Sequence, residues 1–187
     1  MKIFKFGGAS VKDAIGVKNL LKVIQRKADS NTIVIVSAMG KTTNALENIV
    51  STYFSKKNNL DNGISELYDY HKIILENLFP DKHQIFNEIN ILFQRIKFFL
   101  ENNKSPNHSF VYDQVVTYGE IISTTIINSF LVHNNIESVW LDARDCIKTD
   151  SNYRGGNVQW AETQKNILAI AFKVYQGSYL FLKFFVV

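Results

Sequence analysis

The feature that most constrains this fold is a short apolar run at the start of the chain that ends in two glycines and leads into a helical pattern. Apolar residues 3–4 predict a strand, Gly7 and Gly8 follow it, and Ser10 stands where it can cap a helix or bond a phosphate oxygen. Glycines have no Cβ, so an anion can approach their backbone N–H groups, and Lys5 adds a positive charge beside them. The stretch predicts a phosphate site, although a tight turn with a surface lysine explains it equally well on its own.

A second strand–loop–helix unit follows the first. Residues 33–36 form a β-branched run typical of a buried parallel strand, and they lead through the polar loop 37–44 to a helix predicted over residues 45–53. If the two strands are parallel neighbours, both loops lie at the same carboxyl edge, where open α/β sheets bind ligands. The loop is not the end of a P-loop, because Ile35 occupies the position where that motif needs a glycine.

An acidic residue inside an apolar segment is the third feature. Residues 110–133 are mostly apolar, and their spacing predicts one long helix with a face in the core. The residues at that spacing are Val111, Val115, Ile122, Ile126 and Phe130. Glu120 follows Gly119 on this helix, and a carboxylate among apolar neighbours must be paired or bind a cation. A solvent-facing Glu120 fits the local pattern equally well.

The stretch from about 51 to 106 has a different character and predicts a helical hairpin inserted between the second strand and the Glu120 helix. One amphipathic helix has its apolar face at Leu67, Tyr70, Ile74 and Leu78. A second has its face at Ile85, Ile89, Leu92, Ile96 and Phe99. The insert either covers a substrate pocket as a lid or packs beside it with no part in catalysis.

Taken in chain order, these motifs resemble the signatures of the aspartate kinase family, within the amino-acid kinase superfamily. Residues 5–11 resemble its opening signature, with Ala9 where threonine is usual, and residues 36–44 resemble its second loop. Residues 118–123 resemble its glycine–glutamate helix, and residues 139–144 resemble the strand and loop that come next. The resemblance extends over roughly residues 1–177.

The resemblance implies an α/β fold with a mainly parallel sheet, helices on both faces and the helical insert at about 51–106. Residues 1–187 would form the N-terminal part of one amino-acid kinase domain. The implied reaction is transfer of the ATP γ-phosphoryl group to the side-chain carboxylate of L-aspartate, which gives 4-phospho-L-aspartate for lysine, threonine and methionine synthesis. Mg²⁺ would arrive with the nucleotide.

The resemblance also implies a role for individual residues. Lys5 would be catalytic, stabilising charge on the transferred phosphoryl group. The nucleotide and phosphate site would comprise Lys5, Phe6, Gly7, Gly8 and Ser10. The aspartate site would comprise Ser37, Thr43 and Glu120, with Glu120 holding the substrate ammonium group.

The sequence departs from the family pattern towards its end. Family catalytic domains continue well past position 187 with an aspartate that assists transfer, so little or no kinase activity is expected of this chain alone. Residues 178–187 resemble nothing in the family, which suggests a frameshift or premature stop near Gly177. Two alternatives stay open: another amino-acid or carbamate kinase of the superfamily, and a non-catalytic fragment that binds aspartate or pairs with a longer partner chain.

Composition narrows the remaining function classes. The net charge of +4 is scattered, which suits an anionic nucleotide better than a nucleic acid. Cys146 is the only cysteine, so no internal disulfide forms and a reducing cytoplasm is expected.

No metal site is expected from His71, His83, His108 and His133, which are scattered along the chain. No segment is expected to span a membrane, and the full-length enzyme is expected to be a homo-oligomer.

Overall fold

A computed structural model describes residues 1–29, 31–55 and 60–175, with side chains up to residue 169. The strands and helices, in chain order, are β1 (Lys2–Phe6), a 3₁₀ turn (Gly8–Val11), α1 (Ala14–Lys27), β2 (Thr32–Val36), α2 (Thr42–Phe54), α3 (Leu60–Leu78), α4 (Ile85–Asn102), α5 (His108–Val116), α6 (Tyr118–His133), α7 (Ala143–Cys146) and α8 (Trp160–Tyr175). The apolar tail at 178–187 lies outside the described residues.

The two predicted strands pair as parallel neighbours. Their register runs from Lys2 opposite Thr32 to Phe6 opposite Val36, so both strands end at the same edge. The connection through α1 is the crossover that parallel strands require. The predicted α/β class and the parallel sheet are confirmed, and the loops after β1 and β2 lie side by side as expected. Among the described residues, the sheet has these two strands only.

One face of this sheet lies on the hydrophobic core. Val34 and Val36 are fully buried, and the partly buried Phe4 and Phe6 pack against the same core. Alternation along the strand places Lys5 on the opposite face, where it is exposed. The helices α1 to α6 supply most of the rest of the core.

The apolar segment predicted as one helix is two. Helix α5 ends at Val116 and α6 begins at Tyr118, with Thr117 between them. All five residues of the predicted apolar face are nonetheless buried, because each helix keeps its own face towards the core. The break separates the Glu120 helix from the preceding turns and leaves Glu120 in the first turn of α6.

The same segment bears on the expectation that no segment spans a membrane. By length and composition alone, His108–His133 could cross a bilayer, because it contains an 18-residue window with a mean hydropathy of 1.4. More than half of that window, 56%, is buried inside the fold, as in the core helix of a soluble protein. A single stretch of this kind is weak evidence for a membrane protein.

The predicted pair of amphipathic helices in the middle of the chain is confirmed as α3 and α4. Leu67, Ile74 and Leu78 are buried on α3, while Ile85 and Ile89 are buried on α4. Helix α3 packs against α1, α2 and α4, and α4 packs against α6. The pair is therefore in contact with both strand–loop–helix units and with the helix that carries Glu120.

The strand expected around residues 139–142 is not formed. Residues 136–142 have no ladder partner among the described residues, and Asp142 instead caps the short helix α7 by accepting a bond from the Arg144 N–H. The following segment turns back on itself at an isolated antiparallel bridge between Thr149 and Val158. A β-branched and aromatic sequence does not by itself make a strand, and the described part of the chain places no neighbouring strand beside this one.

Candidate functional site

The loops that follow the two strands are bonded to each other through their backbones. The Ser37 N–H donates to the Phe6 carbonyl at 3.0 Å, and the Gly40 N–H donates to the Gly8 carbonyl at 3.0 Å. We call residues 7–13 the first loop and residues 37–41 the second loop. Gly8 permits this contact, because a Cβ there would lie 2.5 Å from the Ala38 carbonyl oxygen.

The first loop differs in detail from the expected strand-to-helix turn. The chain makes one 3₁₀ turn, Gly8–Val11, before α1 begins at Ala14. Asp13, and not Ser10, caps α1, with its carboxylate accepting from the Gly16 N–H at 2.8 Å. Lys5, Gly7 and Ser10 are exposed at this end of the sheet. Ser10 thus has no capping role, and the phosphate role expected of it stays a prediction.

Glu120 lies beside the second loop at the start of α6. Its carboxylate accepts from the Ala38 N–H at 3.2 Å, and burial raises its pKa against the effect of that bond. Gly119 makes the approach possible, because a Cβ there would lie 3.0 Å from the Ala38 Cβ. Ser123, one turn on, donates to the Ser37 carbonyl at 2.9 Å. The solvent-facing alternative for Glu120 is wrong, since the side chain is half-buried against the loop.

A cleft of about 670 Å³ opens next to Glu120. Its lining includes Thr43, Glu120, Arg144 and Arg154. Two of the three residues predicted for an aspartate site, Thr43 and Glu120, therefore share one cavity. Ser37 is not in the cavity lining; it directly precedes Ala38, whose N–H bonds Glu120. Lys5, Gly7 and Ser10 are also outside this lining.

Arg154 is the residue of this cleft that the sequence analysis missed. Its guanidinium carbon lies 4.1 Å from the centre of the Tyr112 ring, and the Tyr112 hydroxyl donates to the Glu47 carboxylate. Its own backbone is left-handed, with φ at 65°, and its N–H donates to Asp113 at 2.8 Å. No ion pair of the described residues includes the Arg154 side chain. The signal in the sequence is a basic residue beside two glycines in a polar loop, a pattern that by itself is typical of a turn.

Arg144, the other cation of the cleft, is already paired. Its Nε donates to both carboxylate oxygens of Asp142, at 2.9 and 3.0 Å, although more than half of the Arg144 side chain remains exposed. Burial by itself would raise the pKa of Asp142, but the hydrogen bonds and charge of Arg144 outweigh it and lower that pKa. Arg144 therefore brings less uncompensated charge to a ligand than Arg154 does.

The cleft thus contains one acidic and one basic side chain, Glu120 and Arg154, that face it without an ion pair, while its two other carboxylates, Asp113 and Asp150, already accept backbone N–H bonds of the Arg154 loop. No ion pair of the described residues includes Glu120 either, and its carboxylate is bonded by backbone N–H groups, that of Ala38 and its own. Arg154 presents a positive charge in the same cavity. An ammonium group suits the first and a carboxylate suits the second, which is the charge pattern of a free amino acid. In the described part of the chain, no group of three His, Cys, Asp or Glu residues is placed to hold a metal ion.

The structure superposes on solved E. coli aspartokinase III in complex with aspartate and ADP with a TM-score of 0.83, at 22% sequence identity, over 98% of this chain and 40% of that chain. The sequence model of the amino acid kinase family matches residues 1–171. The chain therefore belongs to the amino acid kinase family.

Curated relatives of this chain are aspartokinases. It is 23% identical over 160 residues to the chloroplastic bifunctional aspartokinase/homoserine dehydrogenase 1 of Arabidopsis thaliana, and 28% identical over 145 residues to aspartokinase 1 of the same plant. These matches include 80% and 75% of this chain. They span only 17% and 25% of the relatives' own lengths.

Proposed function

We propose that this chain forms the aspartate-binding part of an aspartate kinase, which transfers the γ-phosphoryl group of ATP to the side-chain carboxylate of L-aspartate. The observation that carries the proposal is the cleft that Glu120 and Arg154 both line, neither of them in an ion pair of the described residues. The similarity to a solved aspartokinase in complex with aspartate and ADP, and to two curated aspartokinases, supports the same reaction.

In this proposal, each group of the cleft meets one group of aspartate. Glu120 accepts hydrogen bonds from the α-ammonium, and Arg154 donates to a carboxylate, for which its planar fork is well shaped. The Thr43 hydroxyl completes the site, and Ser37 contributes through the backbone that fixes Ala38. Phosphoryl transfer depends mainly on positioning and charge stabilisation, so a rigidly bonded acceptor site is the contribution that these residues can make.

The nucleotide would lie at the adjacent edge of the sheet. There, Lys5 would stabilise negative charge on the transferred group, and Phe6, Gly7, Gly8 and Ser10 would lie along the phosphates. Gly7 is suited to this role because it is exposed and a Cβ at that position would meet nothing within 4 Å, so there is space beside its backbone for a phosphate oxygen. Mg²⁺ would bridge the phosphates and keep several of its waters, so it needs few protein ligands.

Calorimetric titration of the 187-residue chain with a ligand series tests this proposal. We expect L-aspartate to bind, and succinate, which lacks the ammonium group, to bind at least about tenfold more weakly because a charged hydrogen bond to Glu120 is lost. L-Alanine, which lacks the side-chain carboxylate, should be weaker by a similar factor.

The related acceptors of the superfamily provide the controls. N-Acetyl-L-glutamate has a blocked amine, and carbamate has neither ammonium nor second carboxylate, so neither should compete with L-aspartate. Equal affinity for succinate and L-aspartate, or no L-aspartate binding by a chain whose circular dichroism shows it folded, would contradict the proposal.

A further inference from the structure

The loop that carries Arg154 has a fixed shape, although the Arg154 side chain is exposed. Residues 149–158 begin and end at an isolated antiparallel bridge. Inside this loop, the Asp150 carboxylate accepts from the N–H groups of Asn152 and Asn157, both at 3.1 Å. Arg154 has a left-handed backbone, which is uncommon for a residue other than glycine. A residue keeps such a conformation only where its surroundings determine it.

Helix α5 contacts this loop at three points. The Phe110 ring packs edge-on against the Tyr153 ring, with 5.2 Å between the ring centres. The Asp113 carboxylate accepts from the Arg154 N–H at 2.8 Å. The Tyr112 ring lies beneath the guanidinium, whose central carbon is 4.1 Å from the ring centre. Two adjacent residues of one helix therefore contact Arg154 at its backbone and at its charged end.

The Tyr112 ring is itself fixed from a second helix. Its hydroxyl donates to the carboxylate of Glu47, which lies one turn after Thr43 on α2. The helix that supplies a hydroxyl to the cleft thus also anchors the ring. The hydrogen bond to Glu47 raises the pKa of Tyr112 above its ordinary value, so the hydroxyl keeps its proton at neutral pH and continues to donate it.

We propose that Tyr112 is a positioning residue for Arg154, and that its ring face holds the guanidinium in the cleft where an amino-acid carboxylate binds. A long arginine side chain loses rotamer freedom when a ligand orders it, and a ring beneath it imposes part of that order beforehand. The ring face attracts a cation without accepting its N–H groups, so these stay available to a carboxylate. Arg144 shows the contrast, because its Nε donates to Asp142 instead.

The part of this inference that concerns ligand affinity rests on the proposed function, and the position of the guanidinium does not. The first measurement is therefore made without ligand. NMR spectra of the 187-residue chain locate the Nε–H and δ-methylene protons of Arg154, which are assigned by their loss in Arg154→Lys. We expect them to resonate upfield of the same protons in the exposed Arg26, because the ring current of Tyr112 shields them. We also expect nuclear Overhauser contacts between them and the Tyr112 ring protons.

Three substitutions separate the ring face from the hydroxyl and from packing in general. Tyr112→Leu removes the ring, and we expect the Arg154 protons to move to the Arg26 positions. Tyr112→Phe loses the hydroxyl but keeps the ring face, so the upfield shift should remain. Tyr68→Leu deletes a partly buried ring of α3 that does not line the cleft, and it should leave the Arg154 protons unmoved.

L-Aspartate titration of the same variants is the second measurement. We expect Tyr112→Leu to weaken binding about fivefold, and Tyr112→Phe and Tyr68→Leu to leave it within about twofold. In an Arg154→Ala background, Tyr112→Leu should add less than about twofold, because the ring acts through the guanidinium. In a Glu120→Gln background, its effect should persist in full, because Glu120 meets the ligand through a separate contact.

The two measurements fail separately. If the unaltered chain binds no L-aspartate, the proposed function fails and the NMR shifts alone decide where the guanidinium lies. If Tyr112→Leu does not fold, the Overhauser contacts in the unaltered chain decide it. The inference is overturned if the Arg154 protons of the unaltered chain resonate at the Arg26 positions, or if Tyr112→Phe loses the upfield shift. It is also overturned if Tyr112→Leu weakens binding equally with and without the Arg154 guanidinium.

Discussion

Substituting Gly8 by alanine is expected to lower the free energy of unfolding by about 3 kcal/mol, the upper end of what overpacking costs. The new methyl group would lie 2.5 Å from the Ala38 carbonyl oxygen and 3.1 Å from the Gly40 carbonyl oxygen. Both obstacles are backbone atoms of the second loop, so a side-chain rotation cannot relieve the clash. The loops must separate, and the bond from the Gly40 N–H to the Gly8 carbonyl is lost with them. Urea denaturation followed by circular dichroism measures the change.

The neighbouring glycine supplies a matched control. Gly7 has φ of −75° and ψ of 162°, which is extended backbone that any residue adopts, and a Cβ there would meet nothing within 4 Å. Gly7→Ala should therefore leave stability unchanged or raise it by about 0.4–1 kcal/mol, since alanine restricts the unfolded chain. A Gly8→Ala denaturation midpoint equal to that of Gly7→Ala would contradict the close approach of the two loops.

The same pair of variants separates two reasons for a glycine in a phosphate-binding signature. If phosphates lie along the first loop as proposed, Gly7→Ala should weaken ADP binding although the chain remains stable, because the methyl group occupies space that a phosphate oxygen would need. Gly8 would be required by the fold and Gly7 by the ligand. The sequence alone presents the two residues as an equivalent pair.

Much of the fold was predictable because its signals are local. The β-branched run of β2, the glycines after β1 and the apolar faces of α3 and α4 each follow from residues close together in the chain. Parallel pairing then placed both loops at one edge. The break at Thr117 was not predictable in this way, because the apolar pattern continues through it and α5 and α6 each keep a buried face.

The cleft was only half predictable. Thr43 and Glu120 belong to recognisable motifs, but Arg154 enters the cavity from a loop whose shape depends on distant contacts with Tyr112 and Asp113. Asp13 was overlooked as the cap of α1 because the intervening 3₁₀ turn delays the start of the helix.

Glu120→Gln is expected to weaken L-aspartate binding by at least about tenfold while stabilising the ligand-free chain at neutral pH. Glutamine keeps an oxygen that can accept from the Ala38 N–H, so the loop contact survives. It has no charge to hold an ammonium group, and a charged hydrogen bond typically contributes about 1.5–3 kcal/mol. Calorimetric titration and urea denaturation of the same protein preparation measure the two effects side by side.

The pKa of Glu120 explains why the substitution should stabilise the ligand-free chain although it weakens ligand binding. Burial raises that pKa in the folded chain above its ordinary value, so between the two values the folded state holds more protons than the unfolded state. Stability contributed by this group is therefore greatest below its ordinary pKa and falls as the pH rises through the raised one. Glutamine removes this dependence, so the stability gap between Glu120→Gln and the unaltered chain should widen from about pH 4 to pH 7.

A saturating concentration of L-aspartate should reverse the order of the two proteins. The ammonium group supplies the cation that the ionised carboxylate lacks, so L-aspartate stabilises the unaltered chain by at least about 1.4 kcal/mol more than it stabilises the glutamine variant, which binds it at least about tenfold more weakly. A carboxylate retained only for structure would behave differently: its replacement would destabilise the free chain, and L-aspartate would shift both denaturation midpoints equally. The crossing of the two midpoints on ligand addition therefore identifies Glu120 as a residue kept for binding at a cost to the fold.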